Sequence, residues 1–254
     1  MNERTTVPAR DQTRGKLTAF RVLAGIGAVF LGGYTLFFAI ATWAGADDQQ
    51  IHALHNSAGV AVYLPLFVVP LIAAIRDPGG TVALFRLAVS ASIAVVVAGA
   101  IGGTIISVVV TFVIVLALLW LHPARADVLR LGGLDVPLLA LVVVAAIPAV
   151  VYGLGQADLQ ATRPVGDPHV EFEHYAGMAG AAFAFVLSGA VAAFDGRGAR
   201  IARWLVGLGG AALAASFLAY PDHASAIDRE WAVAVLAISV VYLAVAEIRA
   251  RRPA

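Results

Sequence analysis

Cysteine is absent from the 254 residues. That excludes disulfides, thiolate metal sites, iron–sulfur clusters and covalent attachment of a c-type haem. Charge is scarce too: Asp, Glu, Lys and Arg make up 13% of the chain, where soluble domains carry about 25%. Lysine occurs once, as Lys16, and every other basic residue is arginine, a bias that fits a GC-rich coding sequence better than a functional demand. No nucleotide-binding loop, nucleophile motif or nucleic-acid patch rises above background, so no nucleic-acid partner is expected.

What fills the chain is apolar sequence, 61% of residues, with a mean hydropathy of +0.88. Several runs approach or exceed the roughly 20 residues that cross a bilayer as a helix. The expectation is an all-α, polytopic membrane protein of eight transmembrane helices in the lipid bilayer. After a basic tail over 1–16, helix 1 covers Leu17 to Ala44, too long for a cleaved signal core and read as a retained anchor. Helix 2 runs from His52 to Ile75, is kinked by Pro65 and Pro70, and ends at Arg76-Asp77-Pro78-Gly79-Gly80. The apolar stretch from Thr81 to Trp120 exceeds one crossing, and Gly102-Gly103-Thr104 is its one break, separating helices 3 and 4. A basic linker follows His122, then helix 5 over Val136 to Leu154 and a polar loop to Pro168. Helices 6, 7 and 8 cover Val170 to Phe194, Ile201 to Tyr220 and Glu230 to Ala250.

With both termini in the cytoplasm of a plasma-membrane protein, every basic residue except Arg163 and Arg229 falls in or beside a cytoplasmic segment. Seven helices would invert the second half and destroy that asymmetry. The halves also resemble each other. Setting His55 on His174 places His52 on Glu171 and brings Arg76-Asp77 beside Asp195-Gly196. The expected organisation is therefore a first four-helix half over 17–122, a cytoplasmic linker over 123–133, a second half over 134–250 and a short tail over 251–254. An even number of helices per half relates the two by an axis along the membrane normal.

This topology gathers His52, His55, His169, His174 and His223 on the outer side, with the acidic residues Asp47, Asp48, Glu171, Glu173, Asp222, Asp228 and Glu230. Ionisable groups at a membrane boundary are functional candidates. His52 and His55 are spaced i,i+3, as are Glu171 and His174, so each pair shares a helix face. Glu-x-x-His is a spacing used for metal ligation inside helical bundles. Facing across the axis, His55 and His174 suit a haem iron, while His52, His55, Glu171 and His174 suit a bare divalent ion, with His169 and His223 as further candidate ligands. Arg163 and Arg229 suit propionates, or else Asp228 or Glu173. Against this stand plainer roles: acidic residues favour helix starts, and interfacial histidines are often simply solvated. His122, before a proline on the opposite side, reads as a helix-end residue. Trp43, Trp120, Trp204 and Trp231, near helix ends, read as interfacial anchors.

The eight-helix, two-by-four plan and Glu171-Phe-Glu-His174 opening helix 6 resemble the membrane-embedded haem A synthases. The chain differs from that pattern at Asn56 and Tyr175, where the family has arginine, and at His52, where it has glutamate. The resemblance implies Glu171, His174 and His55 as site residues, with His55 and His174 as axial ligands. Three readings stay open. One is a haem-binding or redox protein working with a membrane redox partner or a quinone, with Glu171 handling protons. Another is a bare-metal enzyme or metal-handling protein, and the last is a transporter or assembly subunit without catalysis.

Overall fold

The computed structural model describes residues 9–46, 50–164 and 166–251, with side chains from residue 14 onward. Asp47 and Asp48 lie outside them. Eight apolar helices run up and down a single bundle: α1 (Ala9–Trp43), α2 (Ala53–Arg76), α3 (Val82–Gly102), α4 (Ile105–Leu121), α6 (Val136–Thr162), α8 (His174–Ala192), α9 (Ala199–Ala219) and α10 (Arg229–Ala250). Among the described residues, two short helices sit in the connections, α5 (Arg125–Leu129) and α7 (Pro168–Glu171). Among the described residues there is no strand, only an isolated bridge between Leu134 and Phe194. All but α4 are long and apolar enough to cross a membrane. The 17 residues of α4 span about 26 Å at 1.5 Å per residue, slightly less than a bilayer core. The outward faces of α1, α4 and α6 are apolar, Val29, Ile106 and Ile147 being 76%, 80% and 70% exposed, as suits faces turned to lipid.

The centre of the bundle is α3 against α8, its most extensive helix pair. Ala91, Ala94 and Ala98 of α3 and Ala179 and Ala184 of α8 are buried there. Small side chains let the two backbones approach closely, the usual basis of helix association in lipid. On the other flank α9 lies against α2, where a Cβ on Gly209 would stand 2.9 Å from the Ala61 carbonyl oxygen. These two packings bring the first turns of α2 and α8 together at one end of the bundle.

Local breaks follow from local chemistry. Gly102-Gly103-Thr104 does separate two helices: Gly103 closes α3 in the left-handed region at φ 79°, which glycine adopts without strain. In α2, Pro65 and Pro70 are accommodated by a widened π turn over Leu64–Val68, relieving the hydrogen bonds that proline cannot donate. The sequence predicts a polar loop after Leu154, but α6 continues to Thr162. Its extra turns are amphipathic, with Gln156 and Gln160 buried one turn apart.

The other correction concerns the predicted continuous helix from Val170 to Phe194. It is broken at Phe172-Glu173, and Glu173 has φ 55°. Asp167 caps a separate short helix by accepting from the His169 amide at 2.9 Å. Gln160 then supplies α8 with its own start, accepting from the Ala176 amide at 3.2 Å while donating to the Val170 carbonyl at 3.0 Å.

The end opposite the histidines is rich in arginine. Arg86, nearly buried, donates Nε to the Val128 carbonyl at 2.9 Å. Arg203 donates Nε to the Ala192 carbonyl and Nη2 to Asp195, both at 2.9 Å. Buried Asp135 receives Arg249 Nε at 3.0 Å, with Arg203 Nη1 at 4.0 Å.

Candidate functional site

Five of the six histidines meet at one end of the bundle, delivered by separate stretches of chain. His52 and His55 come from the start of α2, His169 from α7, His174 from the first position of α8 and His223 from the α9–α10 connection. Their ring centroids form a continuous cluster. His55 lies 4.5 Å from both His174 and His223 and 5.2 Å from His169, and His52 lies 4.4 Å from His174. Two sets of three have ligand-capable nitrogens within 4.8 Å of one another: His52, His55 and His174, and His55, His169 and His223. Tetrahedral ligands on bonds of about 2.0 Å stand about 3.3 Å apart, inside that 4.8 Å limit.

The nitrogens are not equivalently engaged. The carbonyl of Ile51 receives both His169 Nε2, at 3.1 Å, and His223 Nε2, at 2.8 Å. His169 Nδ1 lies 3.1 Å from Asp167 Oδ1, and His223 Nδ1 accepts from the Ser225 amide at 3.3 Å. The Nδ1 atoms of His55 and His174 are buried with no hydrogen-bond partner among the described residues. A buried polar atom left in that state is costly unless something binds there. His55 Nε2 meets Ser225 Oγ at 3.0 Å, and the Ser225 carbonyl in turn accepts from Tyr152 at 2.7 Å.

Burial lowers the pKa of His223, partly offset by its bond to the Ile51 carbonyl. Asp167 is held below the usual carboxylate range chiefly by the His169 amide, which stabilises its charged form. That carboxylate on the far nitrogen of His169 resembles the outer partner that orients metal-bound imidazole.

A cavity of about 120 Å³ opens beside the cluster, with Tyr34, His55, Asn56, Tyr63, Glu173 and His174 in its wall. Here the two glutamates exchange the roles that their spacing predicts. Glu171 ends α7 exposed and outside the cavity lining, so the break at Glu173 removes the shared face with His174. Glu173 borders the cavity and accepts a hydrogen bond from Ser107. Its backbone sits in a region that a non-glycine residue occupies at a cost of about 1–3 kcal/mol, which the surrounding structure must hold in place.

The remaining candidates lie outside the cluster, although Arg163 is near enough to Asp167 to help stabilise its charged form. Arg163 at the end of α6 and Arg229 at the start of α10 are both exposed. His122 is at the arginine end, buried against Phe85 with ring centroids 4.4 Å apart, and its Nδ1 accepts from the Ala124 amide. Burial pushes its pKa down to about 4. Ser225, Tyr152, Gln160 and the Ile51 carbonyl, which hold the histidines in place, carry no motif. For Gln160 the one available sign was a second glutamine at i−4, marking a helix face.

No family model, no curated protein and no solved structure matches the chain, so its chemistry is argued from these residues alone.

Proposed function

We propose that the chain is an integral membrane metal protein that holds a divalent first-row ion in its histidine cluster, near the outer surface of the plasma membrane. The observation that carries this reading is the convergence of five imidazoles from four segments, with two buried Nδ1 atoms that have no partner among the described residues. An all-imidazole set without thiolate suits zinc, copper or iron over calcium or magnesium. The adjoining cavity gives such an ion a place to meet a small molecule, and Glu173 and Asn56 are positioned to contact it.

The topology in this reading is eight spans with both termini cytoplasmic. It is supported by the placement of Arg21, Arg76, Arg86, Arg125, Arg130, Arg197, Arg200, Arg203 and Arg249 at the end away from the histidines. The repeat of two four-helix halves is supported by matched packing: α1 on α2 parallels α6 on α8, α3 on α4 parallels α9 on α10, and α3 on α8 parallels α9 on α2. Arg86 and Arg203 stand at corresponding positions in the second turns of α3 and α9, each donating Nε to a carbonyl.

Haem is the second reading, favoured by the approach of His55 and His174 at the axis. Axial imidazoles on bonds of about 2.0 Å put their ring centroids about 6 Å apart with the porphyrin between them. These rings are stacked at 4.5 Å and 27°, an arrangement that fits a bare ion better. Metal analysis and an absorption spectrum of the purified protein test the choice. We expect a stoichiometric first-row metal without a Soret band. A reducible Soret band would select haem, and the absence of both would overturn the metal reading in favour of a transporter or assembly subunit. Reporter fusions placing either terminus outside would overturn the topology.

A further inference from the structure

The two sets of three histidines share one member, His55, which sits between them with His223 and His174 each 4.5 Å from its ring centre. We propose that the cluster holds one divalent cation at a time in two alternative positions. The loading position is on His55, His169 and His223, and the working position is on His52, His55 and His174. This rests on the metal-site reading above and gives it a direction.

A neutral imidazole has one nitrogen lone pair to offer. His55 therefore serves one ion at a time, and completing either set withdraws a ligand from the other. The two positions also differ in what an ion must displace. On the loading side, His169 and His223 have both ring nitrogens engaged, at Ile51, Asp167 and the Ser225 amide. Each gives up a hydrogen bond to ligate, so that position is the weaker one. On the working side, His174 has an Nδ1 that no described protein group satisfies, and an ion bound there relieves a standing cost instead of creating one.

Exposure and the cavity give the same order. Of the ligands the sets do not share, His52 of the working set is buried and His174 half-buried, whereas His169 and His223 are both half-buried. His55 and His174 line the cavity with Asn56 and Glu173, and His169 and His223 do not. An ion arriving from the surface meets the hydrogen-bonded pair first. Rotation of His55 then passes it to the buried set, where its open coordination position faces the cavity.

The test uses the full chain in lipid nanodiscs, stripped by chelator and given Co2+ alone. Bound cobalt is counted at equilibrium, and its visible ligand-field bands are followed in a stopped-flow instrument. We expect one cobalt per chain. His223→Ala and His169→Ala should slow both loading and chelator-driven release about tenfold or more, leaving the dissociation constant within about threefold, because they remove a route and not a destination. His52→Ala and His174→Ala should weaken equilibrium binding by about 100-fold or more, at or beyond the upper end of the loss typical of an outer-shell partner. They should leave a weaker, faster-exchanging cobalt with a changed spectrum. Two cobalt ions of similar affinity would overturn the shared-ligand inference while leaving the metal reading intact. So would equal equilibrium losses in both groups of variants, which describe one static site. No bound cobalt in the unaltered protein would overturn both. Size-exclusion profiles identify any variant that fails to fold, and the second histidine of each group then carries the comparison.

Discussion

Ser225→Ala is the substitution that most directly probes how His55 is prepared. Ser225 is wholly buried, with its hydroxyl 3.0 Å from His55 Nε2 and its carbonyl accepting from Tyr152 at 2.7 Å. With the hydroxyl accepting from Nε2–H, the His55 lone pair is placed on Nδ1, the nitrogen left without a partner among the described residues. Alanine removes that constraint with almost no change of volume. In the metal-free protein the orphaned Nε2–H costs about 1–3 kcal/mol. In the loaded protein the loss of an outer partner costs about 10–100-fold in metal affinity, or roughly 1.4–2.7 kcal/mol. The assay is a competition titration of Zn2+ against a chromophoric chelator, alongside thermal unfolding of the metal-free protein. Tyr152→Phe is the control: it removes a hydrogen bond of the same small network but keeps the hydroxyl on His55. It should lower stability by about 1 kcal/mol and change affinity by less than about threefold. An unchanged affinity in Ser225→Ala, or an equal loss in Tyr152→Phe, would refute a ligand role for His55 through Nδ1.

Other perturbations separate the site from its scaffold. Glu171→Gln should leave metal occupancy intact because Glu171 is exposed outside the cavity, whereas Glu173→Gln should alter the spectrum of bound Co2+; metal analysis and absorption check both. Asp135→Asn should destabilise the protein by about 3 kcal/mol, the low end for a broken buried pair, since it removes the partner of half-buried Arg249 while buried Arg203 keeps Asp195; the readout is a drop in thermal midpoint. His122 has a folded pKa lowered from 6.5 to about 4, so the unfolded chain binds its proton at higher pH than the folded one. Its contribution is complete above about pH 6.5 and is lost as pH falls towards 4, by up to about 1.4 kcal/mol per pH unit. His122→Gln should flatten that part of the pH–stability profile in thermal unfolding.

Much of the bundle is legible because membrane helices are set by long-range composition. Apolar length marks each crossing, and the Gly102-Gly103-Thr104 break is visible because glycine alone enters the left-handed region without strain. The grouping of the five histidines follows from the same alternation of ends. Their exact company does not. Nothing in the sequence assigns the Ile51 carbonyl to two histidines or sets Ser225 behind His55, because backbone acceptors carry no motif and these partners are 118 to 172 residues apart.

Glu171 and Glu173 show where periodicity fails. The i,i+3 rule places Glu171 with His174 only if the intervening backbone is helical. Asp167 and Pro168 start one helix while Gln160, fourteen residues away from His174 in sequence, starts another by satisfying the Ala176 amide. The chain between them has to turn, and Glu173 takes the left-handed conformation that joins the two. That turn directs Glu171 away and sets Glu173 beside His174 in the cavity wall. A favourable local pattern was thus overridden by a tertiary hydrogen bond from a buried glutamine. The same interaction that supports the break also helps set α8's first residue, His174, against His55, so Gln160 shapes the histidine cluster without touching a ring nitrogen.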